Sequence, residues 1–189
     1  MIKNNTYFIK LIEQISNLCI KFHISPNQLT IIGAIGCSIG ALFLVLDQRY
    51  LAIFFITIFT LFDAIDGSIA RIQNKQSALG KYLDSNFDRV VDTIIFFSIL
   101  TQVNQNNIFE IYLVVGALAV SLLTSYIKAS SEIANVTISN GPLGRAPRIA
   151  LVLLAIFTKQ YIVFLTIIII LGSLTVLIRL FSGINKIKN

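Results

Sequence analysis

Six mostly apolar stretches, roughly 27–47, 50–72, 82–103, 106–129, 145–159 and 160–181, follow one another with only a few residues between them. A helix that crosses a bilayer core needs about 20 such residues, and backbone inside lipid must satisfy its own hydrogen bonds, which a helix does. Only 13% of the residues are charged, against roughly 25% in an ordinary soluble domain, and the mean hydropathy is +0.82. The chain of 189 residues has no room for a separate soluble domain, and it shows no internal repeat or low-complexity segment. The fold class expected is therefore an all-α integral membrane protein, with six transmembrane helices in one compact bundle over residues 25–189.

Residues 1–24 read differently. They lack the continuous apolar run and small-residue cleavage site of a signal peptide. Phe8, Leu11, Ile12, Ile15, Leu18, Cys19 and Phe22 recur at helical spacing with Lys10, Glu13 and Lys21 between them, the pattern of an amphipathic helix lying in the membrane interface. "ISPNQLT" restarts the chain, with Ser25 as N-cap and Pro26 in the first turn of the next helix. Gly33, Gly36 and Gly40 then permit close helix approach; no strand precedes them, so they do not form a phosphate loop. Cys19 and Cys37 are expected to be reduced, structural thiols. His23 is the only histidine, which leaves little basis for histidine chemistry.

The basic residues set the orientation. With a cytoplasmic N-terminus, Lys3, Lys10, Lys21, Arg71, Lys75, Lys81, Arg89, Lys128, Arg145, Arg148, Arg179, Lys186 and Lys188 lie at cytoplasmic helix ends, and only Arg49 and Lys159 lie outside. The positive-inside rule then places both termini in the cytoplasm, in a multi-pass inner-membrane protein. The net charge of +6 is this topology signal together with attraction to anionic lipid. The basic residues form no stripe, and nucleic acid is not an expected partner.

The segment Asp63–Asp88, "DAIDGSIARIQNKQSALGKYLDSNFD", holds four of the nine acidic residues and is entered through "LAIFFITIFTLF". A charged side chain within a span costs about 2.5–3.5 kcal/mol on insertion scales and marks function. Asp63 and Asp66 are three apart and Asp84 and Asp88 four apart, so each pair shares a helix face. The turn from Ile72 to Gly80 folds the two helices antiparallel and brings the four carboxylates to one depth. Such a cluster repels itself unless cations hold it. Hard oxygen ligands without nearby Cys or His suit Mg²⁺ or Mn²⁺, so a two-metal site is expected. Its depth, near the cytoplasmic headgroups, lets the metals clamp phosphates of a lipid-linked substrate while soluble reactants enter from the cytoplasm. Gly67, Ala70 and Gly80 allow a nucleotide close to the backbone, and Arg71 can reach a phosphate; alone, Gly67 and Ala70 would be read as packing residues. Lys75 and Lys81 read as solvated loop charges more than substrate ligands, with Lys81 close enough to the site to stay a candidate.

The pattern Asp63-x-x-Asp66-Gly67-x-x-Ala70-Arg71, eight residues, Gly80-x-x-x-Asp84-x-x-x-Asp88 resembles the complete signature of the CDP-alcohol phosphotransferase, or CDP-alcohol phosphatidyltransferase, family, and "SPNQLT" resembles the Pro-Asn-x-Leu-Thr that opens its first span. The resemblance covers nearly the whole chain. It implies an interfacial N-terminal helix with six membrane helices, a homodimer, and a reaction in which an alcohol displaces CMP from a CDP-linked lipid. It implies Asp63, Asp66 and Asp84 as principal metal ligands and Asp88 as ligand or general base. It places Asp66, Gly67, Ala70, Arg71 and Gly80 at the CDP moiety. Whether the lipid is CDP-diacylglycerol or CDP-archaeol stays open, because the motif reads the shared head.

For the acceptor, "LDSNFDRVVD", "SYIKASSE" and "GPLGRAPRI" resemble segments of the inositol-phosphate-using members, which implies a phosphorylated polyol such as inositol 1-phosphate. Arg145 and Arg148, three apart at a helix start, can grip a phosphate monoester, and Asp92 lies one turn beyond Asp88 on the same face. Gly144 and Pro147 depart from the pattern, since those relatives usually carry glutamates there. Arg145 and Arg148 also read as positive-inside anchors, and Asp92 as a buried partner of Arg89 or another helix. Glycerol 3-phosphate and serine are the alternative acceptors. A small ion-coupled transporter is the alternative of another class, but it would scatter acids near the midplane of two matching halves, whereas five of nine acids here occupy one hairpin.

Overall fold

The computed structural model describes residues 3–73 and 77–188, with residues 3–9 and 188 as backbone only. Lys75 lies outside the described residues, as do the side chains of Lys3, Phe8 and Lys188. Seven helices are described: α1 (Lys3–Lys21), α2 (Pro26–Val45), α3 (Arg49–Ile72), α4 (Ala78–Leu100), α5 (Ile108–Ile133), α6 (Arg145–Thr158) and α7 (Tyr161–Lys188). Four of them, α2, α3, α5 and α7, are long and apolar enough to cross a membrane by length and composition. The other two expected spans are helical but differ in kind. α4 carries Lys81, Asp84, Asp88, Arg89 and Asp92 within its first two thirds, and α6 has 14 residues, about 21 Å at 1.5 Å per residue.

Helix ends follow local chemistry. Ser25 caps α2 in a capping box with Gln28 (2.9 and 3.3 Å), with Pro26 in the first turn. His23 has a left-handed backbone (φ 58°), and the His23 and Ile24 amides bond the Ile20 and Cys19 carbonyls of α1, so the one histidine occupies a helix-terminating turn. Asp47 (φ 59°) closes α2 in the same way. Ser77 accepts from the Gly80 amide at 3.0 Å and starts α4. Asn107 does the same for α5 through Phe109.

α2 packs closely on α3, and Gly36 is the reason. A Cβ there would lie 2.1 Å from the Phe59 ring, and one at Gly40 would lie 2.8 Å from Ile56. The main core joins Leu44 and Ala41 of α2, Ile56 of α3, Ile95, Phe96 and Ile99 of α4, Val114 and Ala117 of α5, Val152 and Ile156 of α6, and Leu165 and Ile168 of α7. A second cluster, Ile12, Leu29, Ile65 and Ile69, fastens α1 across the ends of α2 and α3, leaving Leu11, Leu18 and Phe22 exposed.

The irregular segment 134–144 is tied to α7. Thr175 accepts from the Leu143 amide at 2.9 Å, and Arg179 donates to the Asn140 carbonyl at 2.8 Å and the Thr124 carbonyl at 2.5 Å. Gly141 (φ +70°) is needed here: a Cβ would meet Thr175 at 2.6 Å, and the left-handed backbone already favours glycine. These ties set where α6 begins, and hence where Arg145 points.

Candidate functional site

The antiparallel pair α3 and α4 brings carboxylates of Asp63, Asp66 and Asp84 together, with one oxygen of each within 4.8 Å of the others. Asp66 is buried and accepts a 2.5 Å hydrogen bond from Thr30 of α2, whose hydroxyl also reaches the Pro26 carbonyl at 3.1 Å. Asp84 keeps one buried oxygen, Oδ1, without a hydrogen-bond donor. Asp88 stands one turn further along α4 and pairs with Arg145 of α6 at 2.6 Å. The same guanidinium nitrogen lies 3.2 Å from Asp63. Four aspartates and Arg145 thus line one small space, walled by Gly33, Cys37, Phe59 and Phe87.

Beside it opens a cleft of about 210 Å³, lined by Asn27, Thr30, Asp66, Gly67, Ala70, Arg71, Gly80, Lys81 and Asp84, among others. Gly67 is not a packing glycine, since a Cβ there would meet nothing within 4 Å. Gly80 is tighter, with Asn27 Oδ1 and Ser77 Oγ at 3.2 Å from such a Cβ. Lys81, read from sequence as a solvated loop charge, is exposed at the rim of this cleft. Gly67, Asp63 and Arg71 also face a second groove, between α1 and α3, with Glu13 on its far wall.

Of the three residues expected at the acceptor, only Arg145 reaches the acidic cluster. Arg148 and Asp92 are each 1% exposed and pair at 2.5 Å inside the bundle; Arg148 also donates to Thr124 Oγ1 at 3.0 Å and the Ser121 carbonyl at 3.4 Å. The sequence put both at the acceptor; in the structure the Arg148 guanidinium is enclosed and its charge is matched by Asp92. Of the two buried partners expected for Asp92, Arg89 or another helix, the structure gives the other helix, α6; Arg89 donates to the Ser85 and Ser125 carbonyls. Sequence reading assigned no role to Thr30 and Asn27, although the Pro-Asn-x-Leu-Thr opening was the signal that pointed to them.

The carboxylate grouping fits a hard divalent cation on its own chemistry: oxygen donors only, from two helices, with a buried Asp84 oxygen left unpartnered. Comparison with known proteins bears on what such a grouping serves. The family described as CDP-alcohol phosphatidyltransferase matches residues 23–181. A phosphatidylinositol phosphate synthase of Corynebacterium glutamicum is 31% identical over 144 residues, 74% of this chain and 65% of that protein, so the chain spans just under two thirds of that relative. An archaetidylinositol phosphate synthase of Pyrococcus horikoshii is 27% identical over 178 residues, covering 94% of this chain and 93% of the relative. Crystal structures of the Mycobacterium tuberculosis phosphatidylinositol phosphate synthase PgsA1 superpose with a TM-score of 0.82 with CDP-DAG bound and 0.81 in complex with manganese and citrate. They are 22% and 23% identical and cover 92% and 91% of this chain, and 94% and 88% of theirs, a likeness of fold. With the family pattern matched from before α2 to near the end of α7, the chain belongs to the CDP-alcohol phosphatidyltransferase family.

Proposed function

We propose that this protein transfers a phosphatidyl-type group from a CDP-linked lipid to the hydroxyl of a phosphorylated polyol, inositol 1-phosphate above others, and releases CMP. The observation that carries the reading is the carboxylate grouping of Asp63, Asp66 and Asp84 beside a cleft whose walls are the small and basic residues Gly67, Ala70, Gly80, Arg71 and Lys81. The inositol-phosphate branch is supported by the activities named for the relatives from C. glutamicum and P. horikoshii.

Asp63, Asp66 and Asp84 would hold Mg²⁺ or Mn²⁺, with Asp88 as a further ligand of a two-metal set. When bound, the cations neutralise charge on the pyrophosphate and on departing CMP. Thr30 orients Asp66. Gly67, where a side chain would enter open space, lets the nucleotide lie against the α3 backbone. Ala70 and Gly80 widen the same wall, and Arg71 pairs with phosphate. Asp88 accepts the proton of the acceptor hydroxyl as its oxygen attacks phosphorus and the bond to CMP breaks. Arg145 receives the acceptor's phosphate. No covalent enzyme intermediate is needed.

The same reading completes the architecture: α1 within residues 1–24 lies in the cytoplasmic interface, residues 25–189 form a six-span domain in which α4 and α6 also cross, and both termini and the site face the cytoplasm of an inner membrane. The test is CMP release by the purified protein in detergent, given CDP-diacylglycerol or CDP-archaeol and Mg²⁺ or Mn²⁺, with inositol 1-phosphate, glycerol 3-phosphate and serine supplied separately. Metal-dependent release with inositol 1-phosphate is the expected outcome. Release only with glycerol 3-phosphate or serine moves the protein to another branch, and failure of a folded sample to bind CDP defeats the reading.

A further inference from the structure

No acidic residue occurs after Glu132, although that part of the chain carries Arg145, Arg148, Lys159, Arg179, Lys186 and Lys188. α6 therefore brings two buried or half-buried cations into the bundle with no carboxylate of its own, and both are matched by aspartates of the α3–α4 hairpin. Arg148 takes Asp92, which stands outside the metal-type grouping. Arg145 takes Asp63 and Asp88, and Asp63 is also one of the three grouped carboxylates. One guanidinium and any cation drawn to Asp63 and Asp88 therefore contend for the same oxygens.

Charge decides how that contention runs. Four carboxylates and Arg145 leave an excess of three negative charges. A first divalent ion at Asp63, Asp66 and Asp84 leaves one in excess and is strongly favoured. In the protein without CDP-lipid, a second ion beside Asp88 turns the excess positive while Arg145 remains, so like-charge repulsion opposes it. Arg145 is 20% exposed in its side chain, whereas Arg148 is 2% exposed, so only Arg145 has room to turn outward.

We infer that Arg145 is an internal counter-ion that excludes the second divalent cation until a phosphate monoester draws it off Asp63 and Asp88. The inference rests on the metal and acceptor reading above and adds a coupling between the two: acceptor phosphate and the second cation bind cooperatively, because each removes what obstructs the other. The first cation shares only Asp63 with Arg145 and is affected less. Until the acceptor binds, the catalytic carboxylate Asp88 stays paired to Arg145 and unable to take a proton, which restricts turnover to complexes that hold the acceptor.

The test is Mn²⁺ binding to the full-length protein in detergent, followed by loss of the free-ion electron paramagnetic resonance signal, for wild type, Arg145→Gln and Arg145→Lys, each with and without inositol 1-phosphate or inorganic phosphate. Wild type should show one tight and one weak site. Arg145→Gln should tighten the weak site by roughly 5–150-fold, the usual range of coupling between sites, tighten the tight one less, and lose the further tightening that inositol 1-phosphate produces in wild type. Arg145→Lys, which keeps the charge, should keep the weak site weak. Tightening by inorganic phosphate equal to that by inositol 1-phosphate assigns the effect to the phosphate group alone and supports the inference. A folded Arg145→Gln protein whose weak site is unchanged or weaker overturns it, as does phosphate-dependent tightening that survives the substitution. Wild type that binds no Mn²⁺ at all overturns the metal reading beneath it, a distinct result visible before any variant is compared.

Discussion

Asp84 keeps a buried oxygen with no donor, and buried Asp66 accepts from the Thr30 hydroxyl; a buried carboxylate is costly unless donors or a cation complete it. Asp66→Asn and Asp84→Asn should each lower CMP release by about 100-fold or more, the scale of losing one well-placed electrostatic group, while the purified proteins keep their melting temperature. Retained activity in either variant removes the metal assignment. Thr30→Val keeps the shape of the side chain but deletes the donor to Asp66. It should weaken Mn²⁺ binding by about 10–100-fold, the usual effect of an outer partner, and Thr30→Ser should restore it. Gly67 gives a test with two signs. Ala there meets no protein atom within 4 Å and favours a helix interior by about 0.5–1 kcal/mol. Gly67→Ala should therefore raise the melting temperature slightly and raise KM for the CDP-lipid, whereas a packing glycine would show the opposite stability change.

At the scale of elements, buried charge separates Arg148 from Arg145. Removing one member of an enclosed ion pair leaves the other uncompensated and costs about 3–5 kcal/mol, so Arg148→Ala and Asp92→Asn should lower thermal stability markedly. Asp92→Leu combined with Arg148→Met should recover most of the loss, because an apolar pair removes both desolvated charges. A rise in KM for the acceptor alone, with stability intact, would return Arg148 to substrate binding. The helices themselves were legible because hydrophobic periodicity and caps are local. Ser25 and Pro26 announced α2, and 50–72 was expected where Arg49–Ile72 is found. α4 begins at Ala78 and not near 82 because the Ser77 hydroxyl, a local cap outside the apolar run, captures the Gly80 amide. α5 and α7 run to Ile133 and Lys188, beyond the expected 129 and 181, since hydropathy marks where a lipid-compatible run stops and nothing there breaks a helix. The pairing of Arg148 with Asp92, 56 residues away, was not legible, because it depends on how α4, α5 and α6 pack and on the tie of segment 134–144 to α7.

For the whole molecule, the alternation of helix direction places the acidic cluster, the starts of α2, α4 and α6, and the ends of α1, α3, α5 and α7 at one end of the bundle. Arg49 and Lys159 are left at the other. That asymmetry is a physical argument for orientation, since basic residues near span ends are retained on the cytoplasmic side, and the proposed reaction needs its soluble acceptor and CMP on that side. Asn106, in the turn between α4 and α5, and Ala134, just after α5, are both exposed and lie at opposite ends of the same helix. In a background with Cys19→Ser and Cys37→Ala, Asn106→Cys should react with a membrane-impermeant maleimide added to intact spheroplasts. Ala134→Cys should react only after the membrane is opened. The reverse pattern would put the acidic cluster on the outer face, away from any cytoplasmic pool of phosphorylated polyol, and the proposed reaction could not proceed in cells as written. Labelling of both positions from outside would mean that α5 does not cross, which contradicts its 26 residues of apolar helix and would require the six-span reading to be abandoned.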